Sequence, residues 1–138
     1  MLEENEVMEA VSLYLLERGY AILQESATDP RGVDIVAYRP EVELKLFVSV
    51  AGIAHSKAGR GKLEDTYTES QVLRSVARGI YSAMKIGAPN HFTPGDQIAI
   101  GFPDTPTFRK YLEAEKPVMD SFAIKIFLVS EEKKVTVL

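Results

Sequence analysis

The chain has 138 residues, a formal net charge of −4, 46% hydrophobic and 26% charged residues, and neither cysteine nor tryptophan. This length supports one core without covalent staples, so one domain over residues 1–138 is expected, and the missing cysteine excludes disulfides, thiolate-held metal centres and a thiol nucleophile. The acidic balance argues against tight, indiscriminate binding to polyphosphate; with acidic Glu3, Glu4 and Glu6 where a secretory leader needs positive charge, and no run near the ~18 apolar residues of a membrane helix, a cytoplasmic protein that engages no membrane is expected.

Residues Leu2 to Arg18 carry Val7, Val11, Tyr14 and Leu15 at the spacing of one buried helical face, with Met8 beside them, and Gly19 ends the helix. Tyr20 to Leu23 reads as a short strand, followed by turn chemistry at Asp29-Pro30-Arg31-Gly32. A strand over Val33 to Tyr38 is interrupted by Arg39-Pro40-Glu41. Val42 to Val50 then gives the clearest alternation in the chain, with Leu44, Leu46, Val48 and Val50 on one side and Glu43, Lys45, Phe47, Ser49 and Ala51 on the other.

Gly52 to Gly61 is small, polar and basic and reads as a loop. Thr68 and Gln71 have the spacing of a capping box, and Val72, Val76, Ile80, Ala83 and Met84 share one face of the helix it opens, closed by Gly87 and Pro89. Asp96 to Phe102 is a nearly unbroken apolar strand of the kind buried on both faces. Thr105-Pro106 starts a helix that Pro117 breaks or kinks, Ile124 to Val129 is a strand, and Glu131 to Lys134 turns into Val135-Thr136-Val137. The order is α-β-β-β-α-β-α-β, an α/β fold in which a mixed sheet with a central antiparallel hairpin is flanked by helices. No repeat, low-complexity tract or linker interrupts it.

A tight turn centred on Pro40 and Glu41 places Asp34 opposite about residue 47 and diagonal to Ser49. A carboxylate beside two positions spaced by two on the next strand is a geometry suited to a divalent cation, held by carboxylate oxygens, with a lysine to orient or deprotonate water.

Taken together, the first helix running into Glu17-Arg18-Gly19-Tyr20, then Gly32-Val33-Asp34-Ile35-Val36-Ala37 and Phe47-Val48-Ser49-Val50-Ala51-Gly52, resemble the restriction-endonuclease-like, or PD-(D/E)XK, superfamily. Ser70-Gln71 and Asp96-Gln97-Ile98-Ala99-Ile100 with Pro103-Asp104-Thr105-Pro106 continue the resemblance over nearly the whole chain. It implies a restriction-endonuclease-like fold with Asp34 as metal-binding aspartate and Glu4, or Glu6 in a shifted alignment, as a first-helix ligand. It also implies Gln71 at the head of the next helix and catalytic positions at Ser49 and Ala51. The family reads Glu-x-Lys where this chain has Ser49-Val50-Ala51, so the resemblance implies a degenerate site that binds Mg²⁺ or Mn²⁺ poorly, if at all.

The expected function is therefore a nuclease-like domain without catalysis, with weak contact to DNA or to a protein partner. An active Mg²⁺-dependent DNA endonuclease using Asp34 with the triplet Glu43-Leu44-Lys45 is the alternative, and a structural or interaction protein, such as a homodimer, the third. Lys57, Arg60 and Lys62 form the candidate nucleic-acid-facing cluster, whose plainer explanation is a solvated basic loop. His55 and His91 lack ligand-like spacing to one another. Asp34 equally suits a turn cap, Gln71 is already explained by its capping box, and Ser49 and Ala51 suit close approach of a helix.

Overall fold

Glu3 and Glu6 begin the first helix by exchanging side-chain and backbone hydrogen bonds, so amides that helical geometry leaves unpaired are satisfied at once. In a computed structural model, which describes residues 2–25, 33–51, 68–87 and 95–138, α1 spans Glu4–Glu17 and buries Val7, Ala10, Val11 and Leu15. Its end is marked by Gly19 at φ +89°, a left-handed conformation that glycine adopts without penalty.

The strands are β1 (Ala21–Glu25), β2 (Ile35–Arg39), β3 (Leu44–Val50), β4 (Gln97–Pro103), β5 (Ile124–Val129) and β6 (Val135–Val137), and they form one six-stranded sheet in sequence order. β1, β2 and β3 run antiparallel to one another, β3, β4 and β5 are parallel, and β6 returns antiparallel beside β5. The parallel pairs need crossovers, supplied by α2 (Glu69–Ile86) and α3 (Pro106–Ser121). The expected mixed α/β class, element order and central hairpin are all present, and β6 extends the sheet beyond the expected order.

Both helices start where side-chain chemistry dictates. The Gln71 amide donates to Thr68 Oγ1 at 3.2 Å while Gln71 Oε1 accepts from the Thr68 amide at 2.9 Å, and Thr105 Oγ1 accepts from the Phe108 amide at 3.2 Å. α2 and α3 cover one sheet face, packing Val72, Val76, Phe108 and Leu112 against Phe47, Ile100 and Phe102. α1 covers the other, over Leu46, Val48, Ala99 and Phe127. The alternation of β3 thus feeds two cores, which is why both of its sides are buried.

Four details depart from the sequence reading. The β2–β3 connection is a 3-10 turn over Pro40–Val42 followed by Glu43 in the left-handed region, so β3 begins at Leu44 and Val42 is exposed. That longer loop shifts the register: Ile35 pairs with Val48 and Arg39 with Leu44, which carries Asp34 from the expected residue 47 to the level of Ser49. Pro117 does not end α3, which continues to Ser121. Met84 is 60% exposed, whereas Val72, Val76, Ala83 and Ile86 are buried as expected and share their stripe with Ser75 and Gly79.

Candidate functional site

Asp34 precedes β2 at the level where β3 runs past its partner strand. The Asp34 amide donates to the Val48 carbonyl at 2.9 Å, and the Asp34 carboxylate accepts from the Val50 amide at 2.6 Å. The side chain therefore takes over the hydrogen-bonding role that backbone pairing leaves open, a charge-assisted bond of the strong kind. Beyond it, the Ala51 amide turns to Gly101 of β4 at 2.9 Å.

A cavity of about 160 Å³ opens at this end of the sheet, where Asp34 meets Ser49, Val50 and Ala51 of β3, Glu4 of α1, and Arg78, Gly79 and Ser82 of α2. Ser49 and Ala51 are both 3% exposed, so small side chains, rather than solvent, form its strand wall. Gly79 forms part of the helix wall: a Cβ there would stand 2.9 Å from Phe102 Cζ, closer than real side chains approach, and 3.1 Å from Ile100 Cγ2, a tight contact. The absent side chain lets α2 lie against the sheet and brings its neighbour Arg78 to the cavity.

The Arg78 guanidinium lies 3.6 Å from the Glu4 carboxylate, joining helices from opposite faces of the sheet. Burial raises the Glu4 pKa above the ordinary glutamate value, and the attraction of Arg78 pulls it partly back. Glu6, the other first-helix candidate, is committed to the Glu3 amide.

The positions suggested by resemblance therefore converge in part: Glu4, Asp34, Ser49 and Ala51 line one cavity. Gln71 is not among its lining residues and serves the α2 cap. Glu43 lies in the loop rather than on the strand face, and Lys45 pairs with Tyr38. Glu43 precedes Ser49 by six residues, about 20 Å at strand rise, which removes it and Lys45 from the neighbourhood of Asp34. Lys57, Arg60, Lys62, His55, His91 and the turn at Asp29–Gly32 lie outside the described residues. Sequence reasoning missed Arg78 and Gly79; the available signal was a glycine inside an amphipathic helix, which costs about 1 kcal/mol relative to alanine unless close packing requires it.

A hard divalent cation wants several oxygen ligands. Here Asp34 is engaged by a backbone amide, Glu4 by a guanidinium, Ser49 offers a neutral hydroxyl and Ala51 a methyl group. Among the described residues no group of three or more histidine, cysteine, aspartate or glutamate side chains could hold a metal ion. Arg78 already supplies the positive charge at Glu4, so the donor set does not fit Mg²⁺ or Mn²⁺.

No family model and no curated protein matches the chain. A solved structure does. The crystal structure of an FdxN element excision controlling factor protein from Anabaena variabilis superimposes with a TM-score of 0.57 at 16% sequence identity, covering 96% of each chain. At that identity the likeness establishes shared fold alone. Among the described residues no helix is long and apolar enough to cross a membrane.

Proposed function

We propose that this chain is a PD-(D/E)XK-type nuclease scaffold without cleavage activity, acting as an accessory factor that touches DNA weakly. The observation that carries this reading is the commitment of both cavity carboxylates, Asp34 to the Val50 amide and Glu4 to Arg78, beside Ser49 and Ala51. Such a site has neither a free anionic cage for a cation nor a base to activate water. The structural neighbour is named as a factor controlling excision of an element, which is consistent with DNA-associated work that does not require this chain to cut. The net charge of −4 favours weak, salt-sensitive contact, with Lys57, Arg60 and Lys62 as the candidate contacts.

The test is incubation of the purified protein with supercoiled plasmid and Mg²⁺ or Mn²⁺, paired with DNA-binding titrations at several salt concentrations. Intact plasmid and weak, salt-dependent binding are expected. Metal-dependent cleavage lost on Asp34→Ala would refute the proposal. A second reading, an interaction protein without nucleic-acid function, draws on one observation: Met84 and Phe122, 60% and 63% exposed, border an apolar groove of about 360 Å³. Self-association without any DNA binding would select it over the first.

A further inference from the structure

The opposite end of the sheet, on the face that α1 covers, carries a second cavity, of about 430 Å³, which shares no residue with the first. Its floor is dry: Leu15, Leu46 and Phe127 are between 1% and 3% exposed. Around that floor stand three cations from separate elements, Arg18 at the end of α1, Arg39 at the end of β2 and Lys125 on β5, against the single lining carboxylate of Glu17. In an acidic chain this is a local reversal of charge.

Two of the cations are held by aromatic rings. The Arg18 guanidinium sits 3.8 Å from the centroid of Tyr14, whose ring in turn tilts against Phe127 at 5.6 Å and 58°. Arg39 lies 5.7 Å from the Tyr20 ring and is also within 3.4 Å of Glu41, which occupies one nitrogen of its five-donor fork. Ion pairs among the described residues engage Arg39, Arg78, Arg109, Lys110 and Lys116 but not Arg18 or Lys125. Lys125 occupies a position two residues from Phe127 on the sheet face that otherwise feeds the α1 core, and its own residue is exposed.

The helix dipole accounts for a cation at Arg18, since positive charge is favoured at a helix C-terminus. A long aliphatic stem covering apolar surface accounts for a lysine on a sheet face. Neither accounts for the convergence of three cations and two tyrosines on one apolar floor. A guanidinium stacked on a ring keeps its edge donors for a phosphate and its second face for a flat base. We propose that this cavity binds a nucleoside phosphate, its phosphate held by Arg18, Arg39 and Lys125 and its base received by the apolar floor and the Arg18 plane. The volume lies in the range of about 300–1,000 Å³ that small-ligand sites occupy. The same chemistry is offered by a free nucleotide and by the phosphorylated end of a single strand.

The full chain is titrated calorimetrically with AMP and ATP, and by anisotropy with a 5′-phosphorylated oligothymidylate. Saturable binding of at least one probe is expected; AMP or ATP alone identifies a free nucleotide as the source, and the oligonucleotide alone identifies a strand end. Arg18→Ala and Lys125→Ala should each weaken that binding by about tenfold. Arg18→Lys, which keeps the charge but loses the planar stack, should not restore it, and Arg74→Ala on α2 should leave binding unchanged. Circular dichroism of each variant verifies its fold, and because Arg18 and Lys125 are exposed both should fold as wild type. Absence of saturation with every probe up to about 1 mM overturns the proposal. Binding that Arg18→Ala, Lys125→Ala and Arg39→Ala all leave intact does so as well.

Discussion

Asp34 is the residue at which a structural and a chemical role make opposite predictions. A carboxylate retained for chemistry in an anionic cluster usually costs stability, so its removal is neutral or favourable. Here the carboxylate satisfies the Val50 amide at 2.6 Å beside the core, and Asp34→Ala should cost about 1–3 kcal/mol because the buried donor loses its partner. Asp34→Asn keeps an acceptor oxygen and should cost less; chemical denaturation of the two variants measures the order, and an alanine variant as stable as wild type would return Asp34 to a chemical role. Glu4 gives a pH-dependent counterpart. Its pKa is raised in the folded state, so folding is favoured by its proton, and that contribution is fully present at low pH and lost as pH rises from the ordinary glutamate value through the raised one. Glu4→Gln lacks this loss. Its melting temperature should equal or exceed that of wild type at neutral pH, by no more than about 3 °C, and the advantage should shrink as pH falls below the glutamate range.

At the scale of elements, α2 is held close to the sheet by what Gly79 lacks. Alanine there would gain about 1 kcal/mol of helix propensity. Its methyl group would press on Phe102 and Ile100, both fully buried, and overpacking of this kind costs about 1–3 kcal/mol. The balance is a net loss of about 1 kcal/mol, read as a melting temperature lower by about 3–4 °C, whereas a higher melting temperature would show that α2 can retreat without penalty. The helices were legible in the sequence because their caps are local chemistry: Thr68 with Gln71 and Thr105 with Pro106 announce the starts observed. The β3 alternation was equally legible. The hairpin register was not, because Pro40-Glu41 reads as a two-residue turn, while the chain makes a 3-10 turn and puts Glu43 at φ 52°, a conformation its side chain disfavours. Met84 was misplaced because its angular position borders the apolar stripe, and only the closeness of α2 at Gly79 decides which flank is covered.

For the molecule as a whole, what the sequence conveyed of the site was the part carried by adjacent strands and by resemblance: Asp34, Ser49, Ala51 and, from α1, Glu4. Arg78 was invisible because its meeting with Glu4 joins two helices on opposite sheet faces, a contact that exists only after both layers have packed. On the proposed reading, that contact changes what installing catalysis would require. Ser49→Glu with Ala51→Lys supplies a second strand-borne carboxylate and a lysine, but a cation entering the cavity would still meet the guanidinium of Arg78 and a Glu4 whose charge it already balances. The double variant should therefore bind Mn²⁺ no better than wild type and leave supercoiled DNA intact. Adding Arg78→Ala releases Glu4, so the triple variant should bind Mn²⁺ in a calorimetric titration and nick plasmid in its presence. Cleavage should remain slow, since reacting groups need placement within about 0.5 Å by a supporting shell that these substitutions do not rebuild. Equal Mn²⁺ affinity in the double and triple variants would show that Arg78 is not the obstacle. Cleavage by the wild type, abolished by Asp34→Ala or by Glu43→Ala, would overturn the proposed reading of a scaffold without cleavage activity.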